Sequence, residues 1–199
     1  AVVLREDARD CLVSRERVAL RDLPPGARVG TSSLRRGAQL RGMRHDLELS
    51  SIRGNVDTRV RKVREGGLDA VVLAAAGILR LGLENEVSEW FDPETLVPAP
   101  GQGALGVQCR AGDEAVLELL ARVDDPRSRA EGTAERAFLR ELEAGCTAPV
   151  GAYAQALEAP SGSEPQGNTH VRLVGLVASP DGRNEVMVEV NSGNLFYSV

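Results

Sequence analysis

Five arginines, Arg35, Arg36, Arg53, Arg59 and Arg80, stand where side chains of their type could gather an anion. Thr31-Ser32-Ser33-Leu34-Arg35-Arg36 reads as the start of a helix with two guanidiniums in its first turn. That end of a helix already carries partial positive charge, so each cation there costs about 0.3–1 kcal/mol. A carboxylate or phosphate reverses the sign, because it meets free backbone N–H groups, hydroxyls and planar guanidinium forks together. Two outcomes are open: the pair gathers an anion, or both side chains reach out into solvent. Arg53-Gly54-Asn55 repeats the pattern, with a guanidinium just ahead of a helix capped by Asn55 and Arg59 in its first turn. Arg80 follows an apolar strand by several residues. Taken singly, each reads as an ordinary surface arginine. Together, at the ends of neighbouring strands, they favour a polyanionic small molecule.

Other candidates are weaker. Cys146 lies in Ala144-Gly145-Cys146-Thr147-Ala148-Pro149, a tight loop between a helix and a strand. A thiol there can face a cleft as a nucleophile, or lie inert and partly buried. Cys109 alternates with Leu105 and Val107, and Cys11 leads an apolar run, so both are expected in the core. Three cysteines are an odd, sparse set that argues against a disulfide framework and for a reducing cytoplasm. His45 and His170 are the only histidines, and no pair has ligand spacing, so no metal site is expected.

Gly101-Gln102-Gly103-Ala104-Leu105-Gly106 formally matches G-x-G-x-x-G. The dinucleotide fingerprint needs a strand before it and a helix starting within it. Prolines precede this copy and strand-like residues run through it, so a hinge or close packing is the expected use. A net charge of -5 and 3% aromatic residues oppose nucleic-acid binding. No apolar run approaches the roughly 18 residues of a membrane span, and no secretory leader opens the chain.

Strand and helix patterns alternate to position these residues. After the turn Pro24-Pro25-Gly26 come a strand at Arg28-Val29-Gly30, a helix to about Met43 and a strand over Leu47 to Ile52. Val56, Val60 and Val63 mark the next helix, which Gly66-Gly67 ends. Leu68 to Leu73 is a buried strand, followed by a helix over Ala75 to Leu81. This alternation predicts an α/β sheet. The opening Ala1-Val2-Val3-Leu4 and the Leu105-Val107-Cys109 alternation are expected as strands. Asp113 caps one helix, and Asp125-Pro126 opens a longer one that Gly145 is placed to stop. Strands over Val150 to Ala156, Val171 to Val177 and Val186 to Val190 then indicate a small α+β unit.

Four segments carry a resemblance: Val29 to Arg36, Ile52 to Arg59, Gly101 to Gly106, and Ala134-Glu135-Arg136-Ala137-Phe138-Leu139 through Cys146. In order and spacing they resemble porphobilinogen deaminase, also called hydroxymethylbilane synthase, from about Leu4 to Gly182. The resemblance implies a transferase of tetrapyrrole (heme) biosynthesis that joins four porphobilinogen units head to tail into hydroxymethylbilane with loss of ammonia. It implies a dipyrromethane cofactor held by a thioether on Cys146, from which the pyrrole chain grows. By matching position, Ser33, Arg35, Arg36 and Arg59 hold cofactor carboxylates. Thr31, Ser32, Arg53 and Arg59 meet the incoming substrate, and Arg80 the lengthening chain.

 The partners it implies are porphobilinogen and the growing pyrrole chain, handled by a monomeric cytoplasmic protein without nucleic acid or membrane.

The implied chemistry suits these residue types. Loss of ammonia leaves a cationic azafulvene, which the free α-carbon of the terminal pyrrole attacks. Guanidiniums anchor the carboxylates while a separate carboxylate faces the developing cation. In the family that group is an aspartate expected upstream, so no catalytic residue is assigned in this chain, and neither Asp57 nor Asp69 is promoted to the role. The implied architecture is a periplasmic-binding-protein-like mixed-sheet α/β domain plus a small C-terminal α+β domain. Residues 1–8 are expected as a remnant of domain 1 and hinge, 9–98 as domain 2, 99–123 as a returning segment of domain 1, and 124–199 as domain 3. The chain is thus expected to be a fragment lacking most of the N-terminal domain and inactive alone. A non-catalytic anion-binding module is the alternative.

Overall fold

The computed structural model describes residues 1–143, 148–157 and 170–192. Cys146, Gly145 and the last seven residues lie outside the described residues.

One mixed sheet has the strand order β3-β2-β4-β1-β5. Its strands are β1 (Asp10–Ser14), β2 (Arg28–Gly30), β3 (Glu48–Ser50), β4 (Ala70–Ala74) and β5 (Glu89–Trp90). Strands β2, β3 and β4 run parallel, whereas β1 is antiparallel to both β4 and β5. The parallel connections are helical: α1 (Leu34–Met43) follows β2, and α2 (Val56–Arg64) follows β3. A short helix, α3 (Ala75–Arg80), leaves the end of β4, and α4 (Glu114–Ala121) starts from its Asp113 cap.

Both sheet faces are covered, which is why β1 and β4 are apolar without alternating with polar residues. Leu12, Val29, Ala70 and Val72 pack with Leu40 of α1 on one face. Cys11, Val13, Val71 and Leu73 pack with Val60, Val63 and Ile78 on the other. Each fully buried side chain of this size contributes about 1.5–3 kcal/mol.

A second sheet is antiparallel in the order β6-β7-β8, formed by β6 (Val150–Leu157), β7 (His170–Ala178) and β8 (Glu185–Ser192). Helix α5 (Pro126–Glu141) lies on one face, capped by the Asp125 carboxylate, and Ala130 and Ala134 pack there with Ala154 and Val171. Phe138 fits against Gly175, where an added Cβ would come within 2.4 Å of its ring. The opposite face of β7 meets the first sheet's layer, with Val174 and Leu176 packing against Ala38 of α1 and Val97. The mixed sheet and the small α+β unit are therefore the architecture that the alternation predicts.

Three expectations need correction. Ala1-Val2-Val3-Leu4 and the segment around Gly106 pair antiparallel at a single bridge, Val2 with Gly106, flanked by the Val3 amide to the Leu105 carbonyl and the Val107 amide to the Ala1 carbonyl, but neither joins a sheet as a strand. Leu4 and Leu105 are 77% and 63% exposed, and an apolar alternation with no second layer to bury it does not build a sheet. Cys109 is accordingly half-buried rather than core, whereas Cys11 is fully buried and its thiol is pushed up to about 12 by burial. Helix α5 ends at Glu141, ahead of Gly145.

Candidate functional site

Parallel strands place their C-terminal ends at one edge of the sheet. Thr31 to Arg36 follow β2, Arg53 to Arg59 follow β3, and α3 follows β4. Because β1 is antiparallel, its first residue pairs with the last of β4, Asp10 opposite Ala74, and reaches the same edge.

Local bonding fixes the first of these loops. Ser33 caps α1 by accepting from the Arg36 amide at 3.4 Å, and the Ser33 amide donates to the Thr31 hydroxyl at 3.2 Å. The Ser32 hydroxyl donates to the Ile52 carbonyl at 2.7 Å and accepts from the Ile52 amide at 2.9 Å. Its distance to the Ser51 hydroxyl is 3.0 Å. Ser32 thereby ties the loop after β2 to the loop after β3.

Arg35 and Arg36 turn inward and are buried, not solvated. The anion that meets them is Asp10, which is itself fully buried. Asp10 Oδ1 accepts from Arg36 Nε at 3.1 Å and Nη2 at 2.7 Å, and from Gln102 Nε2 at 2.9 Å. Arg36 Nη1 donates to the Val72 carbonyl at 3.2 Å. Arg35 Nη1 lies 2.8 Å from Asp10 Oδ2 and donates to the Val97 carbonyl at 2.6 Å. The Arg35–Asp10 contact is charge against charge without hydrogen-bond alignment, so Asp10 Oδ2 and the buried Arg35 Nε both lack a hydrogen-bond partner among the described residues. Burial pushes the Asp10 carboxyl up, but the Arg35 and Arg36 charges outweigh it and hold the group below its ordinary range. Two guanidiniums against one carboxylate leave a buried excess of positive charge.

The remaining arginines are differently placed. Arg53 is exposed just before α2. Arg59 is half-buried in the first turn of α2, and its Nε donates back to the Gly54 carbonyl at 2.8 Å. Arg80 is exposed at the far end of α3. The structure thus gathers Thr31, Ser32, Ser33, Arg35, Arg36, Arg53 and Arg59 near one edge, with Arg80 at the periphery. Asp69 precedes β4 at the opposite edge, where it takes the Arg28 amide and the Arg15 guanidinium. Asp57 is exposed on α2.

Sequence reasoning missed the residues that fasten this edge. Asp10 offered one signal, a carboxylate leading the wholly apolar Cys11-Leu12-Val13. Gln39 pairs through its amide with both the N–H and the carbonyl of Val97. Gln102 donates to the Ala8 and Arg9 carbonyls as well as to Asp10. Of the glycines around it, Gly103 serves a close approach: it has φ +81°, and an added Cβ would lie 2.4 Å from the Glu6 carbonyl oxygen. Close packing, not a nucleotide, explains that motif. Arg5 and Glu135 were also missed, although Glu135 sits inside the apolar face of α5. Arg5 Nη1 and Nη2 fork onto its two carboxylate oxygens at 2.7 and 3.0 Å.

A cavity of about 570 Å³ lies at the other end of α1, lined by Gln39, Met43, His45, Glu94, Arg183 and Met187 among others. Gln39, which shares the Val97 carbonyl with Arg35, belongs both to its lining and to the arginine edge. Among the described residues no group of three or more His, Cys, Asp or Glu could hold a metal, and no helix is long and apolar enough to cross a membrane.

Two family models match the chain. Residues 1–118 match "Porphobilinogen deaminase, dipyromethane cofactor binding domain", and residues 130–194 match "Porphobilinogen deaminase, C-terminal domain". The chain is 55% identical over 179 residues to a porphobilinogen deaminase of Roseiflexus castenholzii, covering 90% of this chain and 56% of that protein. It is 50% identical over 186 residues to that of Mycobacterium leprae, covering 94% and 59%. The chain therefore spans about half the length of the curated relatives it matches. A solved putative methionine-binding lipoprotein from Bacillus subtilis superposes with a TM-score of 0.41 at 13% identity, over 73% of this chain and 65% of that one. Nothing functional follows from so partial a likeness.

Proposed function

Because the chain belongs to the porphobilinogen deaminase family, carrying its dipyrromethane cofactor binding domain, we propose that it supplies the carboxylate-binding edge and the cofactor-bearing loop of a hydroxymethylbilane synthase. The reaction joins four porphobilinogen units head to tail into hydroxymethylbilane. At each step the aminomethyl C–N bond breaks, ammonia leaves, a C–C bond forms, and the attacking pyrrole α-carbon loses its proton; water adds when the finished chain is released.

The observation that carries this reading is the buried cluster of Arg35, Arg36 and Asp10, with positive charge in excess at the sheet edge. Its donor set fits a group bearing carboxylates. Dipyrromethane supplies the pyrrole primer from which the chain extends, joined as a thioether to Cys146. Ser33, Arg35, Arg36 and Arg59 hold its carboxylates. Thr31, Ser32, Arg53 and Arg59 orient the incoming ring, and Arg80 at the periphery meets the lengthening chain. Asp10 is locked between two guanidiniums, Asp57 is exposed, and Asp69 lies at the wrong edge. None of these three suits proton handling at the reacting carbon, and the 199-residue chain alone is expected to make no tetrapyrrole.

Intact mass of the purified chain tests the reading. A dipyrromethane-sized adduct that colours with acidic Ehrlich reagent and disappears in Cys146→Ser is expected. An unmodified chain after incubation with porphobilinogen and full-length relative, or steady hydroxymethylbilane production by the chain alone, contradicts it.

A further inference from the structure

The arginine pair cannot orient itself. Two like charges on adjacent residues of one helix repel, and each guanidinium has several rotamers. Asp10 is the fixed point between them. It sits in β1, is fully buried, and is pinned through Oδ1 by Gln102, whose amide is pinned in turn by the Ala8 and Arg9 carbonyls. From that position it takes Arg36 through Nε and Nη2 and draws Arg35 Nη1 to 2.8 Å. The buried Arg35 Nε, without a hydrogen-bond partner among the described residues, marks the side of the cluster whose donors are incompletely used.

Resting on the reading above, we propose that Asp10 is a positioning residue: it aims Arg35 and Arg36 at a ligand carboxylate and cancels one of their two charges, so that the cluster accepts one carboxylate. Simple charge counting gives the opposite expectation for a variant, since removing a negative charge should strengthen anion binding. Positioning requires that removing it weaken binding, because the donors lose their direction. The sign of the change therefore separates the two.

The test uses the 199-residue chain with succinate as probe, titrated by NMR of the arginine Nε–Hε signals, with Arg35→Lys and Arg36→Lys assigning them. The wild type is expected to bind with shifts in the Arg35 and Arg36 signals. Asp10→Asn, shown folded by its amide spectrum, is expected to bind roughly tenfold more weakly, as for the loss of an aligned charge-assisted hydrogen bond. Should Asp10→Asn fail to fold, Asp10→Glu keeps the net charge while displacing the carboxylate, and weaker binding is again expected. Binding by either folded variant that equals or exceeds the wild type overturns the proposal, as does a wild type whose Arg35 and Arg36 signals ignore succinate. The adduct on Cys146 is read separately by mass, so its absence would refute the family function without bearing on the sign of these changes.

Discussion

Two buried ion clusters in this chain use the same chemical groups to opposite ends. Beside α5, the Arg5 fork meets Glu135, whose oxygens also accept the Gly101 amide at 2.5 Å and the Ala154 amide at 2.8 Å. Glu131 approaches Arg5 at 3.6 Å and is itself paired with Arg127 at 3.3 Å. Charges there balance and the Glu135 oxygens are fully used. At the sheet edge, Asp10 faces two guanidiniums, and a donor and an acceptor have no hydrogen-bond partner among the described residues. Stoichiometry makes the difference. A balanced cluster fastens the segment around residue 5 to α5 and β6, whereas on the reading proposed above the unbalanced one keeps attraction for a further anion.

Arg5→Ala should show the largest effect, because Glu135 would remain buried without its cation, at a cost of about 3–5 kcal/mol. Urea unfolding measures it. A cost within about 1 kcal/mol, as for surface pairs, would break the distinction.

Gly103→Ala comes next. Its Cβ would collide with the Glu6 carbonyl at a positive φ, which costs about 1–3 kcal/mol in backbone strain before any clash is relieved. Unfolding at the wild-type denaturant midpoint would show that the turn around Gly103 does not fasten Gln102 and Asp10.

The clusters also titrate in opposite senses. Asp10 is held below its ordinary 3.8, so its contribution is present above that pH and is lost as pH falls through the depressed value. Burial pushes Glu135 above 4.5 despite Arg5, so stability falls as pH rises from 4.5 through the raised value. In stability measured against pH, Glu135→Gln should flatten that second limb and leave the acid limb intact. An unchanged second limb would remove Glu135 as its source.

The smallest expected effect concerns the thiols. In a Cys146→Ser background, Cys109 should react readily with a thiol reagent while Cys11 stays protected until unfolding, as mass after timed labelling would report. Equal rates would mean that the first sheet opens as easily as the segment around Cys109.

The elements around the site were legible because each is a local pattern. The Val56, Val60 and Val63 spacing gave α2, Ser33 and Asp125 marked helix starts, and the run at Leu68 to Leu73 gave β4, shifted slightly. Leu105 and Val107 misled because alternation specifies a strand only where another layer buries one face. The arginine pair was legible as a demand for an anion. Its answer was not, because Asp10 lies far away in sequence and meets the pair only through the antiparallel pairing of β1 with β4.

By itself the sequence determined the strand-helix alternation, the cationic helix start and the family, all of which are written in neighbouring residues. Tertiary structure alone decided that Arg35 and Arg36 turn inward, that Asp10 and Gln102 hold them, and that Glu135 ties Arg5 to α5 and β6. Those choices depend on contacts between distant segments, where burying a charge is costly unless a partner arrives from elsewhere in the fold.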